Sequence, residues 1–190
     1  MASPVAELLR ELAAIFDEAG VRWYLFGAQA AILHGAARLS ADVDVTADLP
    51  EGALSPLLAT LSARGFTARI PNPEAFAERT RVVPLVHGAS GMPVDLVLAG
   101  PGLEERFFAR IEPFDVEGVR VPVASAEDMV VMKILAGREK DRADVAAIVA
   151  ARVKDLDLVY VRATLRALEQ ALDRRDLLPA LDAFVDGAGG

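Results

Sequence analysis

Arg38-Leu39-Ser40-Ala41-Asp42-Val43-Asp44-Val45-Thr46 is the stretch on which the fold turns. Acidic and apolar residues alternate from Asp42 to Val45, and a period of two marks a strand with one polar face. In a strand over Ala41–Thr46, the side chains of Asp42 and Asp44 project to one side and those of Val43 and Val45 to the other. Two carboxylates held that close repel each other unless a cation lies between them, and a hard divalent ion such as Mg2+ suits paired oxygen donors. Two solvated acids on an exposed strand face account for the same pattern equally well.

Working outward, Ser3-Pro4 reads as an N-cap followed by proline in the first helical turn. Val5, Leu8, Leu9, Leu12, Ile15, Phe16 and Ala19 then keep helical spacing as far as Gly20. Val21–Phe26 reads as a short aromatic strand, Gly27 ends it, and Ala28–Leu33 reads as helix. Beyond the acidic strand, a helix starting near Asp48 and Pro50 ends near Gly65. Phe66–Ile70, Arg81–His87 and Val94–Leu98 read as strands, the last two forming a hairpin around Gly88–Gly91. Ile111–Val123 reads as a second hairpin turning at Glu117-Gly118. Ser125-Ala126-Glu127-Asp128 has the form of a capping box. Helices over 126–137, 142–153 and 158–174 and a short terminal helix follow.

Strands dominate the first two thirds and helices the last third. The expected fold is α/β (α+β), with a mixed sheet of about five strands over residues 1–124 and C-terminal helices over 125–190 packed on that core.

Further features bear on chemistry. Phe26-Gly27-Ala28 sits at a strand-to-helix junction, where glycine lets backbone approach closely and free N–H groups bind phosphate; an ordinary turn glycine is the alternative. Asp95 lies inside the apolar strand Pro93-Val94-Asp95-Leu96-Val97, so it must be exposed, paired or a ligand, since an unpaired buried charge costs several kcal/mol. Lys133 stands among apolar neighbours in Met129–Ala136, either snorkelling to water or presenting a point charge to a polyphosphate. Asp141 and Asp144, in the charged corner after Gly137, either cap the next helix or pair with Arg138 and Arg142. Arg38 and Ser40, just before the acids, are placed to neutralise phosphate and to orient a carboxylate, or are plain loop residues. His34 and His87 have no partner at metal-ligand spacing and read as structural or exposed.

Composition narrows the classes. The chain has 190 residues, 53% hydrophobic and 25% charged, enough for one substantial core and too apolar for disorder. With no cysteine, disulfide scaffolds and thiolate zinc sites are excluded. The longest apolar run is Val145–Ala151, far short of a membrane span, and the N-terminus lacks the basic start of a signal peptide, so a cytoplasmic protein is expected. The net charge of −8 opposes broad nonspecific nucleic-acid binding. Seventeen arginines against three lysines make Lys133 stand out. Walker A, G-x-G-x-x-G and G-x-S-x-G motifs are all missing from the sequence.

In order, Phe26-Gly27-Ala28, His34-Gly35, Arg38-x-Ser40-x-Asp42-Val43-Asp44-Val45, Val94-Asp95-Leu96, Lys133 and Arg138-x-Lys140-Asp141 resemble the minimal nucleotidyltransferase superfamily, related to the polymerase β palm. The likeness is greatest to the branch of AbiEii-type toxins and similar bacterial proteins, and it spans about residues 21–150. It implies that Asp42 and Asp44 hold metal and that Asp95 is the third carboxylate, helping to activate an acceptor hydroxyl. It implies that Gly27 backs the triphosphate, with Ala28, Arg38 and Ser40 nearby, that Lys133 contacts the triphosphate, and that Asp141 is the branch's late acid.

The activity so implied is Mg2+- (or Mn2+-) dependent transfer of NMP from an NTP to a hydroxyl of RNA such as tRNA, of a protein or of a small molecule, with an antitoxin as a partner if the toxin likeness extends to function. Ala28 departs from the pattern, which has Ser or Gly there, and removes a hydroxyl that would bond phosphate. A catalytically weak binding or regulatory protein of the same fold is therefore an alternative. A metal-dependent phosphohydrolase is another, since Asp42-x-Asp44-x-Thr46 superficially matches its motif.

Overall fold

A computed structural model describes residues 2–37 and 40–188. Arg38, one of the expected phosphate-binding residues, lies outside the described residues. The chain divides into two units, Met1–Gln29 with Leu39–Ala124, and Ala30–Arg38 with Ser125–Gly190.

In the first unit, α1 (Pro4–Glu18) begins where the Ser3 side chain accepts from the Ala6 N–H, with proline in the first turn. Its apolar stripe of Leu8, Leu9, Leu12, Ile15 and Phe16 is buried, each such side chain contributing about 1.5–3 kcal/mol. This helix packs on the sheet at β1 (Arg22–Phe26) and β7 (Val119–Val123), with the Phe16 ring centroid 5.2 Å from that of Trp23. The remaining strands are β2 (Val43–Asp48), β3 (Phe66–Ala68), β4 (Val82–His87), β5 (Pro93–Leu98) and β6 (Glu112–Val116).

The strand order is β3-β4-β5-β2-β1-β7-β6. The sheet is mixed: β1 runs antiparallel to β2, whereas β2 is parallel to β5 and β1 to β7. It is therefore an α/β fold of the expected class, with seven strands among the described residues rather than about five. The difference arises at the two edges. Three-residue β3 pairs with β4, and the β6–β7 hairpin joins β1 through the single register pair Leu25↔Val123. That hairpin turns at Glu117 and Gly118 with φ of +51° and +83°, the mirror-image turn that suits strand twist.

Two helices of this unit have weak patterns in the sequence, α4 (Pro73–Thr80) and α5 (Leu103–Phe108). Between them in importance is α5, because its Phe108 packs edge-on against Tyr24 of β1 with centroids 4.9 Å apart. The helix expected from Asp48 starts later, as α3 (Leu54–Ala63). Thr46 and Tyr24 fill the middle of one sheet face, and Val45, Val94 and Leu96 are buried on the other.

The α2 helix (Gly27–Leu33) begins in the first unit and runs into the second. The second unit continues with α6 (Ala126–Ala136), α7 (Glu139–Arg152), α8 (Leu158–Leu172) and α9 (Leu177–Ala188). Ser125 caps α6 by accepting from the Asp128 N–H at 3.2 Å, and Gly137 ends the helix at φ +66°. Tyr160 Oη donates to Asp128 Oδ1 at 2.7 Å and the Asp157 N–H donates to Glu127 Oε1 at 3.0 Å, tying α6 to α8. His34 is buried, with its Nδ1 3.3 Å from Arg152 Nη1.

Candidate active site

The acids sit at one end of the central strands. Asp44 is the second residue of β2, and the register sets it beside Asp95 of β5, as Val43 is set beside Val94. Residues in register on neighbouring strands share a face, so the two carboxylates stand on the same side of the sheet. On the other flank of β2, Asp44 is in register with Phe26, the last residue of β1. Gly27 follows at once, with φ +69°, and a Cβ on it would fall 1.9 Å from Asp44 Oδ2. Glycine is required there twice over, for a left-handed backbone and for the space the carboxylate occupies.

Asp42 differs from its sequence reading. The strand begins at Val43, one residue later than Asp42, which is exposed. Its backbone is held by Ser40, whose Oγ accepts from the Asp42 N–H at 3.3 Å and lies 3.4 Å from the Asp42 carbonyl. Ser40 therefore orients the Asp42 main chain and not a carboxylate. Its own carbonyl accepts from Gln29 Nε2 at 2.9 Å, which ties this loop to the start of α2. Ala28 is buried in the first turn of that helix and offers no hydroxyl.

Asp95 has a partner that the sequence does not announce. Its Oδ1 accepts from Arg69 Nη2 in an ion pair. Arg69 lies just beyond β3, and its N–H donates to the carbonyl of Pro84, itself in register with Asp95. Asp44, Asp95 and Pro84 thus form one lateral row across β2, β5 and β4, which Arg69 extends just beyond β3, with the small proline ring letting the guanidinium reach the carboxylate. Proline has no N–H to return to Arg69, so β3 pairing stops there.

The donor set is all carboxylate oxygen, the chemistry of a hard divalent cation. By type and by shared face Asp44 and Asp95 fit such an ion. Among the described residues, however, no three acidic or histidine side chains are already gathered as a cluster able to hold a metal. Asp95 is turned to Arg69, and Asp42 is out on the loop.

The other expected residues lie in the second unit. Lys133 is buried, and its Nζ donates to Asp144 Oδ2 at 2.6 Å and lies 3.6 Å from Asp141 Oδ1. Asp141 also accepts from Arg138 Nε. Burial pushes the Asp141 carboxyl up, but the Arg138 hydrogen bond and charge together with Lys133 outweigh it and hold the group below its usual 3.8. Asp144 pairs with Lys133 where Arg142 was one of the expected partners. His87, in the first unit, is buried between Ser90 and Glu11, with ring nitrogens 2.8 and 3.2 Å from their side-chain oxygens.

A cavity of about 610 Å³ opens elsewhere in the first unit, beside the start of β1, with Trp23, Phe108, Ile111, Arg22 and Arg120 among its walls. None of the three candidate acids lines it. Among the described residues, no helix is long and apolar enough to cross a membrane.

A family model described as a nucleotidyltransferase of unknown function (DUF6036) matches residues 4–178. By sequence, no curated protein matches the chain. Among solved structures, the antibiotic-resistance factor ANT(2'')-Ia is similar, at TM-score 0.62 and 15% identity over 91% of this chain and 97% of that one. So is a nucleotidyltransferase-like protein from Paracoccidioides brasiliensis, at TM-score 0.56 and 18% identity over 93% and 91% of the two chains. The lincosamide antibiotic adenylyltransferase LnuA, solved with lincomycin, matches at TM-score 0.52 and 12% identity over 77% of this chain and 96% of its own. At these identities the likeness is one of fold.

Proposed function

This chain belongs to the DUF6036 nucleotidyltransferase family, and we propose that it moves NMP from an NTP to a hydroxyl of a small molecule, with Mg2+ or Mn2+ held by Asp42, Asp44 and Asp95. The observation that carries this reading is the pairing of Asp44 with Asp95 on one sheet face, beside the Gly27 that has no Cβ to crowd Asp44. The ion supplies charge neutralisation for the phosphates and the attacking oxygen. Asp44 and Asp42 anchor it from β2 and the preceding loop. Asp95 takes the proton of the acceptor hydroxyl. The new ester bond forms at the α-phosphorus as the bond to pyrophosphate breaks.

Gly27 and the first N–H groups of α2 face the triphosphate, and Ala28 contributes only its main chain. The phosphate contact expected of Arg38 belongs to the same proposal, whereas the ammonium of Lys133 is taken up by Asp144 and Asp141, which favours a structural role for Lys133 and Asp141 over the expected phosphate contact. A small-molecule acceptor is favoured over tRNA or protein because similar folds include an adenylyltransferase solved with lincomycin and ANT(2")-Ia with adenylyl-2"-tobramycin. The acidic balance of −8 points the same way. A toxin role, with an antitoxin as partner in a bacterial cytoplasm, rests on the AbiEii likeness of the motifs alone.

The test is transfer of labelled NTP to a panel of hydroxylated small molecules, to tRNA and to the protein itself. Loss of transfer in Asp42→Ala/Asp44→Ala with unchanged thermal stability is the expected result, and persistence of transfer in that double variant overturns the assignment. The second reading, a binding protein without catalysis, has Ala28 and the engagement of Asp95 by Arg69 in its favour. NTP binding without transfer to any acceptor would select it.

A further inference from the structure

Arg69 is the one residue at the acidic row whose chemistry the nucleotidyl-transfer reading leaves unused. It is a permanent cation, and its guanidinium is engaged with Asp95 Oδ1, on the carboxylate that stands beside Asp44. The pair is not sealed into the core. The side chains of Arg69 and Asp95 are 39% and 42% exposed, so solvent ions reach them. An ion pair that exposed is weakly held and exchanges readily. The local geometry nonetheless favours it, because the Arg69 main chain is pinned to Pro84 and only the proline ring separates the two side chains in the row.

We propose that Arg69 is a positioning residue that acts as a built-in counter-cation: it neutralises Asp95 while the divalent ion is absent and yields the carboxylate when that ion binds. This rests on the reading of Asp44 and Asp95 as metal ligands. Without a cation, two acids in register on one face repel each other, and Arg69 relieves that repulsion from one side. A divalent ion held by Asp44 and Asp95 would make the guanidinium a neighbouring like charge, which would favour Arg69 turning from Asp95 toward solvent, or toward the phosphates of a nucleotide. The protein so keeps Asp95 ordered in the resting state and makes occupation of the site by a bare ion unfavourable. Metal brought in with a polyanionic nucleotide is favoured, because the displaced guanidinium then gains a partner.

The test is titration of the full chain with Mn2+ alone, followed by loss of the free-ion electron paramagnetic resonance signal, then repeated with Mn2+ and a non-hydrolysable NTP. Arg69→Gln removes the competing charge from an exposed position. It is expected to bind Mn2+ alone roughly tenfold more tightly than the parent, from the repulsion between a divalent ion and a nearby guanidinium in a high-dielectric setting. Arg69→Lys keeps the charge and should stay near the parent, and Arg69→Gln/Asp95→Asn should lose the gain. With nucleotide present, the advantage of Arg69→Gln should shrink or reverse. Equal or weaker Mn2+ binding by Arg69→Gln overturns the proposal. If Mn2+ binding in that case still depends on Asp44, the metal-site reading stands and only the role of Arg69 falls. Mn2+ binding unaffected by Asp44→Asn removes both.

Discussion

Gly27 and Asp44 are in such close approach that a single added methyl at residue 27 would lie 1.9 Å from Asp44 Oδ2. Every real Cβ contact is longer, so the backbone turn after β1 and the carboxylate on β2 are one object. Gly27→Ala should therefore do two things at once. The left-handed φ of +69° costs an alanine about 1–2 kcal/mol, and displacement of the carboxylate adds to that. A fall in Tm of several degrees is expected. Nucleotide-dependent Mn2+ binding should fall further than Asp44→Asn alone predicts from charge, because the helix start moves too. Differential scanning fluorimetry and metal titration read the two effects separately. Retention of both Tm and binding in Gly27→Ala would contradict the close approach.

Ala28→Ser is expected to strengthen NTP binding. Residue 28 is buried in the first turn of α2, next to the glycine, and serine differs from alanine by one oxygen. A hydroxyl that reaches phosphate is worth about 0.5–1.5 kcal/mol, a factor of about 2 to 10 in affinity. Isothermal titration with each NTP measures it. An unchanged affinity would mean that the phosphates do not lie over this helix start.

The parts of this molecule that were legible in the sequence are those decided by neighbours along the chain. The Ser3-Pro4 start of α1, the Glu117-Gly118 turn and the Ser125 cap are local, and each falls where its residues place it. Asp44 was legible because alternation with Val43 and Val45 fixes its face. Asp42 reads as its twin by the same rule, but the strand starts at Val43, and periodicity says nothing about where pairing begins. Arg69 carries no signal at all. It meets Asp95 only because β3, β4 and β5 align Arg69, Pro84 and Asp95 in one row, a relation among residues up to 26 positions apart. Lys133 was noticeable as a rare lysine among apolar residues, yet what fills its surroundings, Asp144 and Asp141, arrives from the next helix.

Acid sensitivity is expected from Asp141. Its folded-state pKa lies below the usual 3.8, so ionised Asp141 stabilises the folded state. That contribution is fully present above about pH 4 and is lost as pH falls below 3.8 through the lowered folded value. Urea denaturation across pH 2–6 should show the stability gap between the parent and Asp141→Asn closing in that acid window and staying constant above it. A gap that instead widens on acidification would give the shift the wrong sign.

Lys133 separates a structural cation from a phosphate ligand. Its ammonium is buried against Asp144 and Asp141, and removing one partner of a buried pair costs about 3–5 kcal/mol because a charge is left uncompensated. Lys133→Met keeps the length and volume of the side chain, so packing is preserved and the loss is electrostatic. Large destabilisation by urea denaturation is expected, with much of it restored in Lys133→Met/Asp144→Leu, where the second charge is gone too. If Lys133 were instead held for the triphosphate, Lys133→Met would leave stability within about 1 kcal/mol of the parent and weaken NTP binding, and the added Asp144→Leu would restore nothing. The restoration by the second substitution is the decisive reading, because a double-mutant cycle isolates the pair from the cost of either change alone.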